Sequence, residues 1–96
     1  MNPNEPIGAN GSVALKDAAL KLQSRDDFVK FVRDLLRQLR EMPEQWENGD
    51  LTGYLEALAA WTEDMEGYYR NVGRPIPAQP SWGTLAEMLL AARTYE

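Results

Sequence analysis

Residues 51–69 read LTGYLEALAAWTEDMEGYY. Leu51, Tyr54, Leu55, Leu58, Trp61, Thr62, Met65 and Tyr69 recur along one side, and Glu56, Ala60 and Glu63 fall opposite. That period predicts an amphipathic helix with one dry face, running over about 51–70. The stretch holds one of three tryptophans, three of four tyrosines and four of fifteen carboxylates, so every other segment is expected to pack against it.

Outward from this helix the punctuation is clear. Asp50 caps it on the N-terminal side, after Asn48-Gly49. Gly67 weakens its last turn and Gly73 stops the chain beyond it. Upstream, Ser24 is an N-cap, with Asp26 and Asp27 favourable at the positive end of a helix dipole. Phe28, Phe31, Val32, Leu35, Leu39 and Met42 then mark one face of a helix over about 25–41. Pro43 cannot continue that helix but suits the first turn of a short piece, Pro43–Trp46. Ser12 opens a weaker helix over 13–22, with Leu15, Ala18, Ala19 and Leu22 on one side. Residues 1–12 carry almost nothing apolar and predict a mobile arm, leaving 13–96 as a single domain. Residues 74–80, RPIPAQP, predict a stiff extended strap lying buried across the bundle. Ser81 caps a last helix over about 81–95, with Leu85, Met88, Leu89, Ala92 and Tyr95 as its buried stripe. No strand-like alternation and no internal repeat occur. The expected fold is all-α: a small bundle of three principal helices, a weaker N-terminal helix and the strap.

With 96 residues, one modest core is the limit. There is no cysteine and no histidine, which removes disulfides, thiolate chemistry and most hydrolytic templates. The N-terminal residues lack the basic and apolar regions of a signal peptide, and no apolar run is long enough to span a bilayer. A soluble cytoplasmic protein is expected, with no cofactor, no metal and no membrane partner. The net charge of −5 is unevenly spread: residues 13–40 carry +3, residues 41–70 carry −7, and residues 71–96 balance. Charge layout of this kind governs partner choice more than it governs fold.

Three groups of residues carry a resemblance: Trp46-Glu47-Asn48; the run from Tyr54 to Trp61 with Glu63-Asp64-Met65 and Gly67-Tyr68-Tyr69; and Pro80-Ser81-Trp82 with Ala91–Glu96. Over residues 24–96 the chain resembles small bacterial proteins with a domain of unknown function. Asp50 stands where that pattern has threonine, and it caps equally well. The resemblance implies a compact freestanding bacterial domain. It implies no activity and no catalytic residues.

Four constellations bear on function. Trp61, Asp64 and Tyr68 lie at the edge of the apolar stripe, where an aromatic shelf with a carboxylate could meet a partner. The competing expectation is packing, with Asp64 accepting a hydrogen bond from the strap or from Arg74. Glu63, Asp64 and Glu66, with Glu41, Glu44 and Glu47, form an acidic set without the spacing of a calcium loop, and a solvated face is the simpler reading. Lys30, Arg33, Arg37 and Arg40 draw a basic stripe, but Asp34 and Glu41 dilute it and the pI is near 4.7, so nucleic acid is not expected. Ion pairing with acidic neighbours or docking to an acidic partner fits better. Pro75, Pro77 and Pro80 read as structure rather than a recognition peptide.

The expectation is a non-enzymatic protein-interaction module that meets a basic protein through Trp46, Glu47, Trp61, Asp64 and Tyr68. An immunity- or antitoxin-like role follows by analogy. One alternative is self-assembly through complementary basic and acidic helices, with monomer and homo-oligomer both open. A second is an enzyme or ligand-binding protein using carboxylates near Asp64.

Overall fold

A computed structural model of the protein describes residues 15–96. The arm expected over 1–12 and the first residues of the helix expected over 13–22 lie outside them. Four helices are present among the described residues: α1, helical over 15–21; α2, Arg25–Glu41; α3, Leu51–Asn71; and α4, Trp82–Ala91. A single 3-10 turn, Pro43–Gln45, follows α2, and the described residues contain no strand. The all-α bundle expected from the sequence is the observed fold.

The sequence signals for starting and stopping act as written. Ser24 Oγ accepts the Asp27 amide at 3.1 Å, Asp50 Oδ1 the Gly53 amide at 2.6 Å, and Ser81 Oγ the Thr84 amide at 3.1 Å. Each fills one of the orphan donors of a first turn, a contribution of about 1 kcal/mol. Gly73 takes φ 72°, a left-handed conformation that closes α3 without a Cβ penalty.

The centre of the fold is not the helix that the pattern favoured. α4 packs against both α2 and α3, whereas α2 and α3 do not meet each other. α1 also closes on α4: a Cβ built at Gly83 would stand 2.8 Å from the Ala19 carbonyl oxygen, so the two backbones touch where a side chain has no room. The core is Leu15 and Ala19 of α1, Phe31 and Leu35 of α2, and Ala86 and Leu90 of α4. From α3, Ala57, Trp61 and Tyr69 are buried.

This arrangement corrects several expected stripes. Leu51 is 72% and Leu55 52% exposed, and Val32 is exposed on α2. Tyr54, between Leu51 and Leu55, reaches α4 at the Leu89 carbonyl, whereas Leu55 lies about 120° from Trp61 on the helical wheel, away from the buried Ala57–Trp61 side. On α4 the buried positions are Thr84, Ala86 and Leu90, while Leu85, Met88 and Leu89 are half-buried; Ala92 is buried as expected. Residues 74–80 form neither helix nor strand, as expected, but they are mostly exposed rather than buried. Arg74 fastens their start.

α4 also ends earlier than expected, at Ala91, because other segments take its last carbonyls. Asn48 donates from Nδ2 to the Ala92 and Tyr95 carbonyls, at 3.0 and 2.8 Å, and from its backbone amide to the Arg93 carbonyl at 2.8 Å. The Tyr54 hydroxyl donates to the Leu89 carbonyl at 2.7 Å. A helix end held by distant donors needs no glycine of its own. Replacing Asn48 with alanine orphans two part-buried carbonyls and is expected to cost about 1–3 kcal/mol, read from urea midpoints.

Candidate functional site: an aromatic groove between α1, α3 and α4

The spacing of seven residues, two turns of α3, puts Trp61 and Tyr68 one above the other on the same side of the helix. Their rings lie 5.5 Å apart, tilted by 54°. Trp61 is 6% exposed, so it is a packed residue, whereas Tyr68 is exposed. Together with Tyr95 beyond α4, and with Leu20 and Leu90, they line an open groove of about 550 Å³. That volume falls within the range of small-ligand and side-chain pockets, about 300–1,000 Å³.

Asp64, one turn from Trp61, is exposed beside the groove. Its partner is neither the strap nor Arg74: the Tyr95 hydroxyl donates to Asp64 Oδ2 at 2.5 Å. The Asp64 carboxylate holds that phenol in its neutral form and pushes its pKa up. Arg74 instead binds Glu87 through both terminal nitrogens, at 2.6 and 3.1 Å, while the Tyr69 hydroxyl donates to Glu87 at 2.7 Å. The Arg74 guanidinium also lies over the Tyr69 ring, 5.0 Å from its centre. The hydrogen bonds to Glu87 raise the Arg74 pKa further, and burial with Glu87 raises that of Tyr69.

Lys16, Arg74 and Arg93 also line the groove. Arg74 is neutralised by Glu87, and Arg93 turns inward, donating from Nη1 to Gln38 Oε1 at 2.8 Å and from Nε to the Leu90 carbonyl at 2.9 Å. Against Lys16 stand Glu96 in the lining, Asp64 joined to Tyr95, and Glu47 joined to Glu96.

Of the other expected partner-binding residues, Glu47 therefore reaches the groove through Glu96, but Trp46 does not belong to it. Trp46 donates from Nε1 to Gln38 Oε1 at 2.8 Å and stacks on Tyr54, 5.6 Å between ring centres, so it serves to join the end of α2 to the start of α3. The Glu47 carboxyl shares a hydrogen bond with that of Glu96, and this bond with their mutual repulsion raises its pKa. A raised carboxyl pKa stabilises the fold below the ordinary carboxylate range, and the benefit is lost as pH rises through the raised value. Glu47→Gln, which removes the repulsion, is accordingly expected to raise the melting temperature at about pH 7 and to leave it unchanged at about pH 3.

A family model matches residues 24–96, nearly all of this geometry. The chain belongs to DUF7660, a family of unknown function. No curated protein and no solved structure matches it. The DUF7660 segment contains every groove residue named above except those of α1, which precedes it yet contributes Lys16 and Leu20 to the lining. Within the DUF7660 segment, the residues that carried the resemblance mostly fasten α4: Asn48 and Tyr54 hold its end, Ser81 caps its start, Tyr69 binds its Glu87, and Trp82 packs on Phe28 with ring centres 5.4 Å apart.

Besides Thr84, which bonds the Ser81 cap, two buried polar residues were not singled out by the sequence. Gln38 and Arg93 are buried, 4% and 6% exposed. Both occupy apolar register positions: Gln38 continues Phe31 and Leu35, and Arg93 continues Ala86 and Leu90. Gln38 Oε1 takes two donors while its buried Nε2 has no partner among the described residues. Burial lowers the Arg93 pKa, partly offset by Tyr54, whose own hydroxyl is pushed up to about 12 chiefly by burial.

The remaining candidates stay apart. Among the described residues no three Asp or Glu side chains converge as metal ligands. The basic stripe of α2 pairs only locally, Lys30 and Arg37 both with Asp34. No helix among the described residues is long and apolar enough to cross a membrane.

Proposed function

We propose that this DUF7660 protein is a non-enzymatic protein-interaction module of the cytoplasm, which receives a basic segment of a partner protein in the groove between α1, α3 and α4. The observation that carries this reading is the Trp61–Tyr68–Tyr95 lining with Asp64 fixed against Tyr95 and Glu96 beside it. Aromatic faces attract guanidinium and ammonium groups, by about 0.5–2 kcal/mol each, and a neighbouring carboxylate adds direction. The Arg74 guanidinium over Tyr69 is the same contact made within the chain. Aromatic side chains with one polar end are also the usual anchors of protein interfaces. The net charge of −7 over residues 41–70 favours encounter with a basic protein. A small acidic protein of this kind suits a neutralising role, such as an immunity protein or antitoxin.

The test is capture from a lysate of the source organism with the tagged protein, its Asp64→Lys variant and its Glu47→Lys variant. Enrichment of a basic protein that Asp64→Lys abolishes and Glu47→Lys weakens supports the reading. Capture that neither substitution changes, or that enriches no basic protein, contradicts it.

A further inference from the structure

α2 has an apolar face that nothing among the described residues covers. Val29, Val32 and Leu36, at i, i+3 and i+7, are all exposed, although they adjoin the side that docks on α4. Arg33 and Arg40 lie alongside this stripe, and neither makes an ion pair among the described residues. α3 presents the counterpart. Leu51, Leu55 and Ala59, a row at i, i+4 and i+8, are exposed, with Glu56 and Glu63 beside them and also without ion pairs among the described residues. Both charged couples are spaced by seven residues, two helical turns, or about 10.5 Å.

Within one chain the backbones of α2 and α3 make no close approach, and Arg33 and Arg40 form no ion pair with Glu56 or Glu63. The ion pairs of Lys30, Arg37 and Arg70 are each local to one helix, and that of Arg74 reaches Glu87. The acidic face of α3 is also separate from the groove: on the helical wheel Leu55, Ala59 and Glu63 lie roughly opposite Asp64 and Tyr68.

We propose that a second copy of this chain covers both faces, in a two-fold dimer where α2 of each protomer docks on α3 of its partner. Arg33 and Arg40 of one protomer meet Glu56 and Glu63 of the other, around a centre made by the valines and leucines. A two-fold axis makes the contact twice, so all four faces are covered and the assembly closes. Five exposed apolar side chains from each protomer, Val29, Val32, Leu36, Leu51 and Leu55, then leave water. Charge complementarity fixes the pairing of basic with acidic helix and disfavours like with like.

The experiment is sedimentation velocity on the full chain at low and high salt, with charge-reversed variants. In low salt the wild type is expected at about twice the chain mass of 10.9 kDa, with dissociation strengthening as salt screens the rim pairs. Arg33→Glu with Arg40→Glu should weaken the dimer by at least tenfold while leaving helical circular dichroism intact, since both residues are exposed. Mixing that variant with one carrying Glu56→Arg and Glu63→Arg should restore a one-to-one dimer. A wild type that stays monomeric at low salt, or a dimer indifferent to charge reversal, overturns the proposal.

Discussion

Phe31→Ala is expected to remove about 3–5 kcal/mol of stability, the usual cost of truncating a buried aromatic ring. Phe31 is 1% exposed and sits where α1, α2 and α4 converge. A domain of this size has about 5–14 kcal/mol in total, so the variant should be marginal at room temperature and unfolded on mild warming. Equilibrium urea unfolding followed by circular dichroism reads the effect. A loss below about 1 kcal/mol would mean that α2 does not dock on α4 through this face.

Trp61→Ala is the second large effect, also about 3–5 kcal/mol, toward the lower end because the side chain borders an open groove. Trp61 joins the middle of α3 to the core, and its ring also forms the groove with Tyr68. The contrast with Leu55 makes this a test of the fold. Both lie on the apolar stripe of α3, but Leu55 is 52% exposed, so Leu55→Ala should change monomer stability by less than about 0.5 kcal/mol. Equal losses at the two positions would restore the picture of α3 as a uniformly buried helix. A negligible loss at Trp61 would make it a surface residue.

The helices, their caps and the all-α class were legible because they depend on local chemistry: Ser24, Asp50 and Ser81 each find their amide three residues on. Which helix sits at the centre was not legible from amphipathicity. A periodic stripe identifies a helix with one dry side, and α3 has the clearest of these. α4 reads WGTLAEMLLA, apolar almost all round, which is the signature of a helix with neighbours on several sides. The apolar side chains at 51 and 55 follow the stripe, yet they are exposed while Tyr54 between them reaches α4, and sequence spacing carries no information about where along a stripe a neighbouring helix crosses.

The candidate site was legible in part. Trp61, Asp64 and Tyr68 fall together because they share one helix face, and helix geometry alone brings them there. Tyr95 and Glu96, which complete the groove on the Asp64 side, are separated from Asp64 by about thirty residues, and no local signal couples them. Trp46 was grouped with the site through its acidic neighbours, but its indole is committed to Gln38 and Tyr54. The buried Gln38 and Arg93 did leave a trace, since each stands at a core position of its helix. A polar side chain in apolar register marks a buried hydrogen-bond partner as often as a break in the stripe.

The central claim is that the groove beside Asp64 takes a basic segment, and nuclear magnetic resonance reads it directly. Isotope-labelled protein is titrated with an arginine-rich peptide, and with a glutamate-rich peptide as control, while the three tryptophan indole N–H signals are followed. The account predicts that the basic peptide moves the Trp61 indole and the amides of Tyr68 and Tyr95, leaves Trp46 and Trp82 in place, and has no such effect on Asp64→Lys. Shifts centred on Trp46 or Trp82, an equal response to the acidic peptide, or a response that survives Asp64→Lys would contradict it.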